Sequence, residues 1–253
     1  MEASGPAFTI PQQDAFIPTI KIIGAGGGGG NVVSKMADEG IQHVELIACN
    51  TDLKALNSSN ATIKMELGRE LTRGLGAGAR PEIGAHAAEE SAAEIEQMLN
   101  GADMAFIVAG MGGGTGTGSA PVIARISKSK KILTVGVVTL PFSFEGKRRM
   151  RAALEGVATL RENTDTLLVI PNERLLEATD RSTSFKDAFH MVDEVLVHAI
   201  QGITDLLNGV GDINVDFADM QTVMEGMGRA VIGKGTGVGK DRMFRAIDSA
   251  IHS

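Results

Sequence analysis

Short apolar runs that alternate with longer amphipathic segments constrain the fold of this chain more than any other feature of its sequence. Each run is rich in strand-forming residues, and the runs lie at residues 19–23, 44–49, 104–109, 132–139 and 166–170. Continuous apolar runs of this length indicate strands that are buried on both faces, as in a parallel sheet between two layers of helices. The sequence therefore predicts an α/β fold with a doubly wound, Rossmann-like parallel sheet.

Amphipathic segments between the runs predict the helices that cover this sheet. They lie at residues 31–39, 86–99, 120–127 and 147–163. A longer segment follows the last strand, and its apolar residues recur at spacings of three and four: Phe185, Ala188, Phe189, Val192, Val195, Leu196, Ala199, Ile200, Ile203 and Leu207. This periodicity predicts a long central helix within residues 184–208, roughly 33 Å in length at about 1.5 Å per residue.

The chain is predicted to divide into four segments. Residues 1–17 are polar and predict a flexible N-terminal arm. Residues 18–183 carry the sheet, residues 184–208 the central helix, and residues 209–253 a loop followed by the start of an α+β second domain. Nothing downstream covers the apolar face of the last amphipathic pattern, so we expect this second domain to be truncated; the face consists of Met243, Phe244, Ile247 and Ile251.

Charge and composition exclude several classes of protein. The formal net charge is -7, and the only dense basic stretch is residues 147–151, so we expect no nucleic-acid partner. A single cysteine, Cys49, excludes an intrachain disulfide and fits a reducing, cytoplasmic compartment. No stretch approaches the roughly 20 apolar residues of a membrane span, so no direct membrane insertion is expected. The five histidines are scattered and have no cysteine companion, so we predict no protein-held metal site.

Glycine is concentrated in a few clusters, and the first of them follows the first predicted strand. Its sequence is GAGGGGGN, from Gly24 to Asn31, and a predicted helix follows it. Backbone N–H groups at the start of a helix, brought close by residues without side chains, bind phosphate oxygens. The cluster also contains the pattern GxGxxG, which leaves an NAD-dependent oxidoreductase as an alternative. That alternative expects an acidic residue at the end of the second strand, where this chain has Cys49 and Asn50.

A second glycine cluster follows the run at residues 104–109 and again precedes a predicted helix. Its sequence is GMGGGTGTGSAP, from Gly110 to Pro121, in which Thr115 and Thr117 add hydroxyl donors. Two such loops at one edge of a sheet would surround a polyphosphate from both sides, whereas a dehydrogenase needs one. The Walker A pattern GxxxxGK[ST] does not occur in the chain, so phosphate binding is predicted to depend on backbone amides and not on a P-loop lysine.

Within the second cluster, GGGTGTG at residues 112–118 is the signature motif of tubulin and FtsZ, and the resemblance extends from about residue 20 to the end of the chain. The further matching motifs are GGGGGN, NTD, TRGLGAGA, PFSFEGKRR, IPNERLL, QGITDL and NVDFAD. Together they make the chain similar to the FtsZ branch of the tubulin/FtsZ family. The resemblance implies a tubulin-like GTPase domain that binds GTP or GDP, hydrolyses GTP and polymerises head-to-tail into the cell-division ring, in the cytoplasm at the mid-cell division site.

The same resemblance assigns roles to individual residues of the nucleotide site. It implies that the phosphates are held by Gly27, Gly28, Gly29, Gly30, Asn31, Gly114, Thr115 and Gly116, with Ala77 and Gly78 near the γ-phosphate. Glu145 matches the ribose contact, and Arg149 is expected near the sugar and phosphates. Asn172 and Asp193 match the guanine contacts, and a carboxylate can accept from both N1–H and the 2-amino group of guanine. The other predicted nucleotide-binding positions are Asn50, Gly110, Gly113, Thr117, Gly118, Pro141 and Phe189.

The predicted catalytic residues, Asn214, Asp216 and Asp219, lie in the loop after the long helix. Asp193 stands near the start of that helix, roughly 21 Å from Leu207 along its axis. Carboxylates beyond Leu207 are therefore more easily supplied to the nucleotide by a neighbouring subunit than by the same one. The resemblance implies the same arrangement. They would orient the attacking water while the loop amides and Mg²⁺, held mainly through the phosphates, take up charge. A head-to-tail interface of this kind repeats without closing and predicts a filament of identical subunits.

Two features depart from the pattern of the family. The expected continuation of the second domain and its tail is absent from the sequence. The resemblance places the contacts to other division proteins in that tail. The turn GKGTGVGKD at residues 233–241 also differs from the usual pattern. The alternative function is therefore a nucleotide-binding module that caps or co-assembles with full-length filaments without turnover of its own.

Overall fold

A 7-stranded sheet forms the centre of the molecule in the computed structural model, which describes residues 17–177, 184–207, 216–231, 233 and 235–251. The strands are β1 (Ile20–Ala25), β2 (Val44–Asn50), β3 (Ile63–Glu66), β4 (Met104–Gly110), β5 (Leu133–Leu140), β6 (Thr166–Pro171) and β7 (Gly228–Ala230). Their order is β3-β2-β1-β4-β5-β6-β7, and every neighbouring pair is parallel. The predicted doubly wound, Rossmann-like α/β fold is therefore confirmed.

The strand order reverses between β1 and β4, and this switch point determines where a ligand can bind. In open parallel sheets, ligands occupy the crevice outside the carboxyl ends of the strands at such a point. The two glycine clusters follow β1 and β4, which are hydrogen-bonded neighbours from Ile20 paired with Met104 to Ala25 paired with Ala109. The topology thus brings both clusters to the same place on the sheet edge.

Helices cover both faces of the sheet. They are α1 (Gly26–Asp38), α2 (Leu53–Asn57), α3 (Arg69–Thr72), α4 (Pro81–Glu90), α5 (Ala92–Leu99), α6 (Thr115–Ser129), α7 (Lys147–Glu162), α8 (Asn172–Glu177), α9 (Phe185–Leu207), α10 (Phe217–Met224) and α11 (Arg242–Ile251). On one face, α1 and α9 pack against side chains from alternate strand positions such as Ile22 and Phe106. On the other face, α4 to α7 pack against the intervening positions, such as Ile23 and Ile107.

Two strands of the sheet have no counterpart in the sequence prediction. β3 is a short edge strand whose residues are polar or only partly buried, so it lacks the continuous apolar run that marks the inner strands. β7 contains three residues and pairs with Thr166–Leu168 at the beginning of β6. Both are specified by pairing with a neighbour and not by a local pattern.

The segment predicted as one helix at residues 86–99 is two helices, α4 and α5, separated by Ser91. The buried hydroxyl of Ser91 accepts a hydrogen bond from the Gly68 backbone N–H at 3.0 Å, which ties the break to the chain before α3. α4 also begins earlier than predicted, at Pro81, because proline is well tolerated at the first position of a helix.

The long central helix is confirmed as α9, and its apolar stripe packs against the sheet. Ala188, Leu196 and Ile200 are buried there, whereas Phe185 at the start of the stripe is largely exposed. Among the described helices, none has the combination of length and apolar character needed to cross a bilayer. The predicted arm lies almost wholly outside the described residues, and the predicted domain boundaries stay predictions.

The unusual turn at residues 233–241 packs against α11 through its glycines. Cβ atoms added to Gly233, Gly235 and Gly237 would lie within 2 Å of backbone oxygens on the helix. Side-chain-free residues at these three alternate positions therefore allow the backbone to approach α11 closely, which accounts for the spacing of these glycines. The apolar face of α11 points away from this contact, and its large side chains are 56 to 76% exposed: Met243, Phe244, Ile247 and Ile251.

Candidate functional site

A continuous groove runs along the carboxyl edge of the sheet across the switch point, and it consists of three connected clefts. The α1 cleft, of about 460 Å³, is lined by residues that include Gly27, Gly30, Asn31, Asn50 and Asp193. The central cleft, of about 150 Å³, shares Asn31 and Asp193 with it and adds Gly28, Gly110, Pro141, Glu145, Arg149, Asn172 and Phe189. The arginine cleft, of about 520 Å³, shares Glu145 and Arg149 with the central cleft and adds Gly78, Arg80, Gly113, Gly114 and Arg148.

Helix α1 begins at Gly26, inside the first glycine cluster, although the pattern predicts a start at Asn31. A Cβ atom on Gly29 would lie 2.1 Å from the Val108 carbonyl oxygen, and one on Gly24 would lie 2.3 Å from the Gly29 carbonyl oxygen. The close approach of this backbone to β4 therefore requires glycine, and tertiary packing overrides the low helix propensity of a glycine run.

Gly27 and Gly30 have a different environment from the packed glycines beside them. A Cβ atom at either position would meet no protein atom within 4 Å, and both residues line the α1 cleft. Gly113 of the second cluster is similar, since a Cβ there would also meet nothing within 4 Å, and it lines the arginine cleft. Protein packing does not require glycine at these positions, so the adjoining space is available to a ligand that approaches the backbone.

Two threonines of the second cluster hold the loop in shape. The hydroxyl oxygen of Thr117 is buried and accepts a hydrogen bond from the Gly112 backbone N–H at 2.8 Å. The Thr115 hydroxyl lies 2.6 Å from the Thr51 hydroxyl, which links this loop to the end of β2. Helix α6 starts at Thr115, so the N–H groups of its first turn are directed towards the edge of the sheet.

Some predicted site residues support the groove without lining it. Gly116 lies against the Ala25 and Gly110 carbonyl oxygens, at 2.9 and 3.1 Å from a Cβ placed on it. Gly118 lies against the Pro81 carbonyl of α4, where a Cβ would come within 2.0 Å. Together with Gly29, Ala77, Thr115 and Thr117, they are absent from the lining of all three clefts.

The central cleft contains an unsatisfied hydrogen-bond acceptor. Asn172, the first residue of α8, is 3% exposed, and within the described part of the chain its Oδ1 atom has no hydrogen-bond partner. A buried polar atom without a partner costs free energy, and such atoms are rare in native structures. The Phe189 ring stands at the same cleft, with its centroid 5.2 Å from that of the buried Phe142 in an edge-to-face arrangement. The cleft therefore suits a flat ligand that brings an N–H donor.

Asp193 of α9 lies where the α1 cleft meets the central cleft. Its pKa is raised to about 6, chiefly because burial disfavours the charged carboxylate, with a further upward contribution from Glu194. His190 and Lys35 act in the opposite direction and favour the charged form. A carboxylate that is partly desolvated and lies in a cleft is a frequent feature of ligand-binding sites.

Glu145 and Arg149 form an ion pair at the junction of the central and arginine clefts. Their oxygen and nitrogen atoms are 2.8 Å apart, and the Glu145 side chain is 8% exposed. Glu145 also accepts from the Phe142 backbone N–H at 2.8 Å, so its carboxylate is held in place. The stem of Arg149 packs on Gly112, where a Cβ would lie 2.7 Å from the arginine Cγ. Both predicted residues thus line the groove.

The helix that carries the predicted catalytic carboxylates, α10, is attached to the sheet at the amino ends of the strands, opposite the groove. Asp216 caps α10, and its carboxylate accepts from the Asp219 backbone N–H at 2.8 Å. The end of α10 is attached to the amino end of β6, since the Thr166 hydroxyl donates to the Met224 carbonyl at 2.6 Å. The two edges are about 20 Å apart along β6 at roughly 3.3 Å per residue. The third predicted residue, Asn214, lies outside the described residues.

Several groove residues have no place in the sequence prediction. Lys35 and His190 line the α1 cleft beside Asp193, and Arg80 and Arg148 line the arginine cleft. The sequence signal for Arg80 is its position two residues after Gly78, and that for Arg148 is the basic stretch at the start of α7. Lys35 and His190 face the groove because of helix phase, which motif matching does not use.

Replacing Gly30 with alanine is expected to stabilise the fold and weaken nucleotide binding. Glycine within a helix costs about 0.5–1 kcal/mol relative to alanine, so the free energy of unfolding should rise by about that amount. The added methyl group would occupy space in the α1 cleft, and a forced contact of this kind costs about 1–3 kcal/mol, roughly tenfold to a hundredfold in affinity. Urea unfolding and calorimetric titration with GDP measure the two effects.

Two further glycine substitutions serve as controls for Gly30→Ala. Gly202→Ala places a methyl group at an exposed position of α9, where nothing lies within 4 Å, and should raise stability without changing the affinity for GDP. Gly29→Ala should instead lower stability, since its Cβ would meet the Val108 carbonyl. Unchanged GDP affinity in Gly30→Ala would contradict the predicted placement of phosphates beside α1.

Comparison with known proteins shows which family this chain belongs to. The model of the tubulin/FtsZ family GTPase domain matches residues 19–180. A structure described as an empty FtsZ dimer from M. jannaschii is 47% identical, with a TM-score of 0.89, and the match covers 96% of this chain and 70% of that one. CetZ1 from Haloferax volcanii, a GDP-bound monomer, is 26% identical over 86% of this chain and 68% of that one, with a TM-score of 0.72.

A third structure, CetZ2 from Haloferax volcanii in a GTPγS-bound protofilament, has the same fold at 24% identity and a TM-score of 0.76, over 88% of this chain and 67% of that one. The family match covers the whole segment from β1 to α8 that contributes the two glycine loops, the Glu145–Arg149 pair and Asn172. It removes the dehydrogenase alternative, which depends on GxGxxG alone. The chain therefore belongs to the tubulin/FtsZ family and carries the GTPase domain of that family.

Proposed function

We propose that this chain binds GTP in the edge groove and hydrolyses it when a second copy brings Asp216 and Asp219 to that groove. The observation that carries the proposal is the separation of the two sets of residues. The groove lies at the carboxyl ends of the strands, and α10 is attached to the amino end of β6. The length of β6, about 20 Å, separates that attachment from the groove, so a carboxylate of α10 is too far away to orient a water molecule at the phosphates of the same subunit.

The guanine base is proposed to occupy the central cleft. Guanine presents two adjacent donors, N1–H and the 2-amino group, and both can bind one carboxylate. Asp193 offers such a carboxylate at the edge of the cleft, and the unpartnered Asn172 Oδ1 accepts a further donor. The Phe189 ring can cover the base. Adenine lacks this pair of donors, so the same arrangement favours guanine.

The phosphates are proposed to extend from the central cleft along both glycine loops. The starts of α1 and α6 direct unpaired backbone N–H groups to this edge, and the helix dipoles favour an anion there. Among the described residues, no group of three His, Cys, Asp or Glu side chains is placed to hold a metal ion. We therefore propose that Mg²⁺ enters with the phosphates, where it supplies positive charge to the transferring phosphoryl group.

The polymer is proposed to be a head-to-tail filament that contributes to the cell-division ring. Residues at one edge of the sheet serve the groove at the opposite edge of the next copy, and such a heterologous contact repeats without closing. The FtsZ relative from M. jannaschii is described as a dimer, which supports self-association. The proposed location is the cytoplasm at mid-cell, with other division proteins as further partners through a C-terminal tail.

The dependence of turnover on protein concentration tests the proposed function. If two copies complete the site, GTP hydrolysis per chain should rise at least about a hundredfold once the concentration passes the threshold for assembly, because orientation of the water by the added carboxylates contributes roughly 10²–10⁴ to the rate. Phosphate release and sedimentation, measured on the same samples, compare turnover with assembly. A constant rate per chain would contradict the proposal, and binding without turnover at any concentration would favour a capping module.

A further inference from the structure

The arginine cleft lies at the meeting point of three helix starts. α4 starts at Pro81, α6 at Thr115 and α7 at Lys147, and residues at or next to all three starts line the cleft. Neither α6 nor α7 has an acidic residue in its first turn, so the positive ends of these helices are not compensated by their own side chains. The potential in the cleft is therefore suited to an anion.

The side chains of the cleft add further positive charge. Arg80, Arg148 and Arg149 face two acidic residues, Glu82 and Glu145. Arg149 is neutralised by its ion pair with Glu145. In the part of the chain that the structure describes, neither of the other two arginines forms an ion pair with a carboxylate. Two guanidinium groups are thus available to a ligand in this cleft.

Arg80 is held between the two glycine segments that border the cleft. Its backbone nitrogen lies against the second loop, 2.9 Å from where a Cβ on Gly114 would stand. Its side chain folds back over the preceding turn, with Nε 3.9 Å from the corresponding point on Gly78. Gly78 and Ala79 both have positive φ, of 59° and 57°, so the chain is in the left-handed region immediately before Arg80. The guanidinium group therefore lies beside the Gly78 turn, and Arg80 lines the arginine cleft together with Gly113 and Gly114 of the second loop.

The order of the three clefts along the groove indicates which part of the nucleotide reaches Arg80. The central cleft holds the base-recognition residues Asn172 and Asp193, and the arginine cleft joins it at Glu145 and Arg149. A nucleotide extends from base through sugar to phosphates. Gly113 and Gly114 of the second glycine loop line the cleft beyond the ion pair, so we expect that cleft to receive the end of the phosphate chain, while the phosphates nearer the sugar pass the start of α1. We propose, building on the proposed function, that Arg80 contacts the terminal phosphate of GTP and gives the site its preference for the triphosphate over the diphosphate.

The ratio of two affinities, measured on the whole chain, tests this inference. Dilute wild-type and Arg80→Gln chains, kept below the assembly threshold, are titrated with guanosine 5′-(β,γ-methylene)triphosphate and with GDP by competition against a fluorescent guanine nucleotide. A charge-assisted contact between Arg80 and the terminal phosphate would be present in the triphosphate complex and absent from the GDP complex. Arg80→Gln should therefore weaken triphosphate binding roughly tenfold or more, with GDP affinity changed by less than about twofold.

Two matched variants separate a direct contact from a general loss of charge. Arg151→Gln removes the same charge from an exposed position of α7 that does not line the groove, and should leave both affinities unchanged. Arg80→Lys keeps the charge without the planar fork and should recover part of the triphosphate affinity. Because Arg80 is exposed, the thermal unfolding of Arg80→Gln should match that of the wild type.

The outcomes distinguish this inference from the function on which it rests. In one outcome, the wild type binds both nucleotides while Arg80→Gln weakens the binding of both equally, or of neither. That result would refute the role of Arg80 and leave the proposal of GTP binding intact. An effect that appeared only above the assembly threshold would also refute it, and would place Arg80 in the contact with the next copy. A wild-type chain that bound neither nucleotide would overturn both proposals.

Discussion

Asp219→Asn is expected to lower GTP turnover at least about a hundredfold while leaving nucleotide binding intact. The Asp219 side chain is exposed at the start of α10 and does not line the groove, so removing its charge should not change the affinity of an isolated chain for GTP. Loss of a carboxylate that orients the attacking water removes a contribution of roughly 10²–10⁴ to the rate. Phosphate release above the assembly threshold measures the loss, and titration with GDP below it measures binding.

Asp216 needs a different substitution, because its carboxylate has a structural role. It accepts the Asp219 backbone N–H at 2.8 Å as the N-cap of α10. Asparagine caps helices about as well as aspartate, whereas alanine at an N-cap costs about 1 kcal/mol. Asp216→Asn therefore removes the charge and keeps the cap. A deficit in Asp216→Ala that asparagine fully restores would assign Asp216 to the helix and leave catalysis to Asp219.

Mixing two inactive variants tests whether the carboxylates act on a neighbouring copy. Asp219→Asn keeps an intact groove, and Asp193→Asn, whose groove no longer matches guanine, keeps intact carboxylates at the other edge. In a random one-to-one filament, about a quarter of the junctions would join an intact groove to intact carboxylates, so about a quarter of wild-type turnover should return. If mixing restored nothing although the two variants sedimented together, catalysis between copies would be refuted.

The fold of this chain is largely predictable because its inner strands are locally marked. Runs such as residues 104–109 and 132–139 are apolar throughout, and a strand buried on both faces requires this. The edge strands β3 and β7 carry no such mark, since one of their sides faces solvent or another element. Pairing with β2 and β6 specifies them, and pairing is not visible in a local pattern.

Helix starts are less predictable than strands in this chain. Helix α1 begins five residues before Asn31 because Gly29 must lie against the Val108 carbonyl, a contact between segments far apart in sequence. Helix α6 likewise begins at Thr115, within a segment whose glycines have poor helix propensity. In both cases tertiary packing at the switch point decides the conformation, and this is why the loops can direct their N–H groups at a ligand.

Sequence motifs predicted some residues of the candidate site, and others were identified only from the geometry of the structure. The motifs identified the residues that line the central cleft, such as Asn172 and Asp193. They did not separate Gly27 and Gly30, which face open space, from Gly29, which is packed. They also omitted Arg80, because its place in the arginine cleft follows from the position of its side chain beside the Gly78 turn. The distance of the predicted catalytic carboxylates from Asp193 was foreseen from the length of α9, and the hydrogen bond from Thr166 to the Met224 carbonyl attaches their helix to the amino end of β6.

Asp193→Asn is expected to change the base preference of the groove from guanine to xanthine. An asparagine amide offers one acceptor and one donor, so its NH₂ group would face the 2-amino group of guanine, donor against donor. Xanthine has a carbonyl oxygen at that position and keeps N1–H, so both atoms of the amide find partners. Affinity for GDP should fall about a hundredfold or more, and xanthosine diphosphate should bind the variant more tightly than GDP does.

The neighbouring acid provides the control for this substitution. Glu194 is exposed, forms an ion pair with Lys35 at 2.8 Å and lines none of the three clefts. Glu194→Gln therefore removes the same charge one residue away and should leave the affinity for GDP and the preference for guanine unchanged. Equal losses in Glu194→Gln and Asp193→Asn would show that overall charge, and not base contact, controls binding.

The pH dependence of binding gives an independent measure of the Asp193 carboxylate. Only the ionised form accepts both guanine donors, and burial raises its pKa to about 6 in the absence of nucleotide. Affinity for GDP should therefore be near its maximum at pH 7 and decrease as the pH falls through 6, by about tenfold at pH 5. The diphosphate group of GDP also titrates in this range, but it does so equally whether the protein is the wild type or Asp193→Asn. The difference between the pH profiles of these two proteins therefore isolates the Asp193 carboxyl group. Parallel profiles would place Asp193 away from the base.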